Sequence, residues 1–64
     1  VNIKEVARLA AEFVRAYENA LAAEHSANVF PKDVLIEEMR RREAVARQKY
    51  AELRAAVIER VERA

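Results

Sequence analysis

Cysteine, glycine and tryptophan are absent from the chain, and proline occurs once. Without cysteine there is no disulfide framework and no thiolate metal site. Without glycine there is no glycine-rich loop to cradle a phosphate. Threonine is missing too, so Ser26 is the sole hydroxyl besides the two tyrosines. It adjoins the single histidine, His25, but no third orienting group or oxyanion donor set accompanies the pair. The expectation is a protein that is not an enzyme. No apolar run approaches the roughly 18 residues a membrane span requires. An excess of one charge is lacking as well: 12 Lys and Arg stand against 11 Asp and Glu, for a net +1.

What the 64 residues do contain is 53% hydrophobic and 36% charged side chains. Ala, Glu, Lys, Leu and Arg together make up about three-fifths of the chain, the composition of long helices. A compact globule of this size would bury about 6,400 Å² and gain about 95 kcal/mol from its apolar part. Ordering the chain costs about the same. An elongated helical hairpin buries less than a globule. With no disulfide and no evident metal, the shortfall points to association with another chain.

Helix signals open the sequence. Asn2 is a suitable N-cap and Glu5 stands three residues later, as in a capping box. Val1 and Val6 occupy the positions of a hydrophobic staple. Ile3, Val6, Ala10, Phe13, Tyr17 and Ala20 then recur in steps of three and four, flanked by Leu9, Val14 and Leu21. Lys4, Glu5, Arg8, Glu12, Arg15, Glu18 and Asn19 fall outside that stripe, as in an amphipathic helix. The spacing predicts a helix over about residues 3–25.

The segment His25-Ser26-Ala27-Asn28-Val29-Phe30-Pro31 reads as the break. Asn28 tolerates the left-handed conformation that ends helices. Pro31 disfavours helical geometry at Phe30 and suits the first position of a new helix. A loop is expected over about residues 26–30, and a second helix over about 31–63. Along it Leu35, Met39, Arg42, Ala46, Tyr50, Leu53, Val57, Val61 and Ala64 repeat with an 11-residue period, close to that of a straight helix. Glu37–Arg41, Glu38–Arg42, Glu43–Arg47 and Glu59–Arg63 have the spacing of helical ion pairs.

The expected fold is therefore all-α: an antiparallel hairpin of two helices with unequal arms, forming one domain over residues 1–64. Asn2 is expected at the level of residue 55, leaving residues 56–64 to overhang. Both the overhang and the broad apolar arc of the second helix point to a homodimeric four-helix bundle. Phe13, Tyr17, Leu35, Met39, Tyr50, Leu53, Val57, Ile58 and Val61 are the candidate interface residues. Arg42, on the apolar line, and Glu43, at its edge, are candidates for fixing register or partner choice.

The expected role is a non-catalytic interaction or oligomerisation module, assembling with itself or with a helical protein partner. The alternative is a small dimeric nucleic-acid-binding regulator using Arg40, Arg41, Arg42, Arg47 and Lys49. Against it, residues 28–64 carry nine positive and seven negative charges. A third expectation is a domain of a larger protein, with Val57 to Val61 packed on the remainder.

Glu18, Glu24 and His25 do not form the Glu-x-x-His motif of di-metal bundles, because residue 22 is Ala. No cofactor and no metal is expected. Val29 and Phe30 are candidates to cap the end of the bundle or, as the alternative, to form an exposed binding tip. The chain opens amphipathic rather than with a secretory leader, so a cytoplasmic location is the default expectation, and a membrane-surface role is not favoured.

The stretch Asn2-Ile3-Lys4-Glu5-Val6-Ala7-Arg8-Leu9-Ala10 resembles the first helix of LacI-type repressors. That family continues into a Gly-containing turn and a recognition helix. Here Ala11-Glu12-Phe13-Val14 prolong the same helix, so no functional residue carries over.

Overall fold

The computed structural model describes residues 2–63. It contains two helices, α1 (Ile3–Val29) and α2 (Asp33–Arg63), packed side by side in a rod 48 Å long. Asn2 caps α1 as its chemistry requires: its side-chain oxygen accepts the Glu5 N–H at 2.9 Å. Glu5 does not close the reciprocal half of a capping box; its carboxylate takes the Arg8 guanidinium at 3.3 Å instead. The Val1–Val6 staple, like Ala64 at the end of the apolar line, lies outside the described residues.

The first helix runs four residues past its expected end. Among the described residues no backbone enters the left-handed region, so Asn28 stays helical. The stop is made by Pro31 acting on Phe30, which takes φ −127° and ψ 85° where an α-helix would continue. The Phe30 N–H still donates to the Ser26 carbonyl at 2.9 Å, closing the last turn. The Lys32 carbonyl accepts the Ile36 N–H at 3.0 Å and so begins α2. Pro31 therefore precedes the second helix rather than starting it, and Asp33 occupies its first turn, at the positive end of the dipole.

Because α1 is longer and the connection shorter, the arms are nearly equal, at 27 and 31 residues. Two contacts set the antiparallel register. Lys49 Nζ donates to Glu12 at 3.1 Å, and Arg42 Nη1 donates to the Asn19 carbonyl at 3.3 Å. The seven-residue step from Glu12 to Asn19 is matched by the seven-residue step back from Lys49 to Arg42. The same step places Glu5 level with Ala56, and Ile3 level with Ile58. The expected overhang from residue 56 is thus a correction: Ala56 is buried against α1, at 6% exposure.

Small side chains make the seam. Ala16, Ala20, Ala23 and Ala27 of α1, with Ala46 and Ala56 of α2, are the buried ones among the described residues. On α2 the inward positions are Leu35, Met39, Arg42, Ala46, Lys49, Leu53 and Ala56. Their steps of four and three give the seven-residue repeat of coiled-coil packing. The 11-residue line holds as far as Ala46 and again at Leu53. Elsewhere beyond Ala46, Lys49 and Ala56 take the seam, and Tyr50, Val57 and Val61 turn outward. A bulky side chain at residue 50 or 57 would wedge apart helices that meet through alanine. Lys49 and Ala56 fit, one by reaching a carboxylate and the other by its size.

Candidate interaction face

An alanine seam leaves most large apolar side chains with no place between the helices. Among the described residues, seven of the twelve exposed ones, Ile3, Val14, Tyr17, Leu21, Tyr50, Val57 and Val61, belong to a second pair of lines along one side of the rod. On α1 this line is Ile3, Ala7, Ala10, Val14, Tyr17, Leu21, Glu24 and Asn28, in steps of four and three. On α2 it is Ile36, Arg40, Glu43, Arg47, Tyr50, Arg54, Val57 and Val61, again in steps of four and three. At 100° per residue each line sits roughly a quarter-turn from its own seam.

Phe13 joins the two lines. It is half-buried, with its ring centroid 5.8 Å from Tyr17 and 5.7 Å from Tyr50. These tilted geometries suit aromatic quadrupoles. The three rings and Leu21 bound a groove of about 310 Å³ floored by Ala20 and Ala46 and edged by Glu24, Glu43 and Arg47.

The opposite side of the hairpin is polar. Glu12 accepts from Arg8 at 2.6 Å and from Lys49 at 3.1 Å, and Lys49 also meets Glu52 at 3.6 Å. The hydrogen bond from Lys49 is the main reason that the Glu12 carboxyl titrates below its ordinary range. The bond from Arg8 adds to this, and desolvation opposes it. Lys49 is correspondingly held above the usual lysine range, first by its bond to Glu12 and then by Glu52. A carboxyl with a depressed folded-state pKa stabilises the fold above its ordinary range, and that contribution is lost as pH falls through the depressed value. Lys49→Met is therefore expected to reduce the drop in melting temperature between about pH 7 and pH 3, without abolishing it, since Glu5, Glu38 and Glu59 also hold cations. An unchanged acid profile in thermal melts would show that this bridge does not couple folding to pH.

The candidate interface residues separate into two groups. Leu35, Met39 and Leu53 are half-buried in the seam of the hairpin itself. Tyr17, Tyr50, Val57 and Val61 lie on the outer face with Phe13 behind them, and Ile58 is exposed at its margin. Ile3, Val14 and Leu21 join this face. The sign of them in the sequence is a seven-residue spacing, Ile3-Ala10-Tyr17 and Ala7-Val14-Leu21, one position round from the seam. Val29, Phe30 and Val34 are exposed together at the turn.

The basic cluster is divided around the helix. Arg41 and Arg42 share Glu38, at 2.9 and 2.8 Å. Arg41 thus pairs at three residues' spacing with Glu38, not with Glu37. Arg42 also holds Asn19, and Lys49 is spent on Glu12 and Glu52. Among the described residues, no ion pair joins Glu43 to Arg47, which lie together at the apolar groove. Also among the described residues, no three His, Asp or Glu side chains gather as metal ligands, and no helix is long and apolar enough to cross a membrane. Comparison of the chain with protein-family models, with curated proteins and with solved structures finds no match.

Proposed function

We propose that the chain is a non-catalytic self-association module, whose aromatic face meets a second copy to complete a homodimeric four-helix bundle. The concentration of seven large apolar side chains on one side of the rod carries this reading. Its area supports the choice of occupant. The hairpin exposes 5036 Å², whereas a compact protein of its mass exposes about 4,200 Å². The excess, about 800–900 Å², is close to what each partner buries in a standard-size interface. A second identical face supplies an apolar surface of equal size and length.

Mass measured by sedimentation across a dilution series, with helicity followed on the same samples, tests the proposal. Twice the chain mass at high concentration is expected, with helicity falling as the mass falls. A helical monomer at every concentration would overturn it. The division of the basic cluster around α2 leaves Arg40 and Arg47 as the only two of its five members without an ion pair among the described residues. Binding of a nucleic acid with a steep salt dependence would favour the alternative.

A further inference from the structure

This inference rests on the self-association just proposed and specifies how the two copies lie. When two such faces meet about a twofold axis, there are two arrangements. In one, the turns lie at the same end and α1 covers the partner's α2. In the other, the turns lie at opposite ends, so that α1 covers the partner's α1 and α2 the partner's α2. The register between the helices decides between them.

With the turns at the same end, Arg47 would sit level with the partner's Val14, Arg40 with its Leu21 and Arg54 with its Ala7. Three guanidinium groups per chain would be pressed onto aliphatic side chains, and the apolar line of α1 would be spent on the charged line of α2. Burying charge without a counter-charge is among the costliest contacts a protein makes.

With the turns at opposite ends, the lines are self-complementary. An axis at the level of Val45 and Ala16 sets Glu43 opposite the partner's Arg47, and Arg47 opposite the partner's Glu43. It also sets Arg40 against the partner's Tyr50, where a guanidinium can stack on the ring, and Ile36 against the stem of the partner's Arg54. On α1, Leu21 falls level with the partner's Ala11, next to its Ala10, and Tyr17 level with the partner's Arg15, next to its Val14. Leu21 then meets alanine, and no arginine faces another. We infer that the bundle forms with α1 on α1 and α2 on α2, the two turns at opposite ends and reciprocal Glu43–Arg47 pairs flanking the axis.

Spin labels on Asn28→Cys, an exposed site next to the turn, report the arrangement. Asn28 stands twelve residues from Ala16, so opposite turns place the two labels about 35–40 Å apart, whereas turns at one end bring them within about 20 Å. The long distance is expected. The short one would overturn the inference and leave self-association standing. No dipolar coupling between chains at any concentration, with helicity retained, would overturn both.

A second measurement is independent of the label. Glu43→Lys and Arg47→Glu chains should each dimerise at least tenfold more weakly than the unaltered chain, because each repels its own copy. Mixed in equal amounts, they should recover that loss as a heterodimer. Failure of the mixture to recover any of it would overturn the inference, since repulsion within one helix is not relieved by mixing.

Discussion

Ala20→Leu is expected to destabilise the hairpin by about 1–3 kcal/mol, the cost of overfilling a packed interior. Ala20 is 6% exposed and packs with Ala16 and Ala46, where the helices touch through methyl groups. Three added carbons have nowhere to go unless the helices separate. Separation would stretch the Lys49–Glu12 and Arg42–Asn19 bonds, now 3.1 and 3.3 Å. For a domain of this size the change corresponds to a melting temperature lower by about 5–20 °C. Ala22→Leu, on the exposed side of the same helix, is the control and should change little, since alanine and leucine are both good helix formers. If the two variants melted together, the alanine seam would not be the close contact that holds the hairpin.

The two helices were legible in the sequence, and the seam between them was not. Asn2, Pro31 and the unbroken amphipathic pattern mark both elements, because caps and breakers act locally. The end of α1 was misplaced because Asn28 permits a left-handed stop without compelling one, and Pro31 enforces its own stop at Phe30. The seam was missed for a different reason. A search for large apolar residues at helical spacing follows Tyr17, Tyr50 and Val57, and these are 50%, 53% and 41% exposed. Ala16, Ala23 and Ala27 carry little hydrophobicity, so composition alone ranks them below their neighbours, yet their size lets the backbones approach. Lys49 is harder still to read as an inward residue, because its place depends on Glu12, thirty-seven positions away. Tyr17, Tyr50 and Val57 are legible by size and spacing, but they form an outer line rather than the inner one. Large side chains that do not fit one seam are available for another.

On the proposed dimer interface a single charge should act most strongly. Leu21→Lys is expected to weaken dimerisation by about 10²–10³-fold. Leu21 is 47% exposed in the hairpin, so within one chain a lysine there costs little: surface replacements usually stay within about 0.5 kcal/mol. Glu18 and Glu24 stand three residues to either side and can accept the new ammonium, so the helix itself is not harmed. In the proposed dimer with its turns at opposite ends the same position faces apolar surface of the partner, at its Ala10 and Ala11. Each lysine then either loses water or bends away and leaves a void, and twofold symmetry imposes the loss twice. A cost of about 1.5–2 kcal/mol at each copy adds to about 3–4 kcal/mol, which is the stated factor. The midpoint of mass against concentration in sedimentation measures it. Ala22→Lys, which places the same charge one position round the helix and off the aromatic face, should leave that midpoint within about threefold of the unaltered chain. Equal midpoints for Leu21→Lys and the unaltered chain would remove the aromatic face from the interface, while a shift confined to Leu21→Lys ties assembly to the line of α1 that runs through Val14, Tyr17 and Leu21.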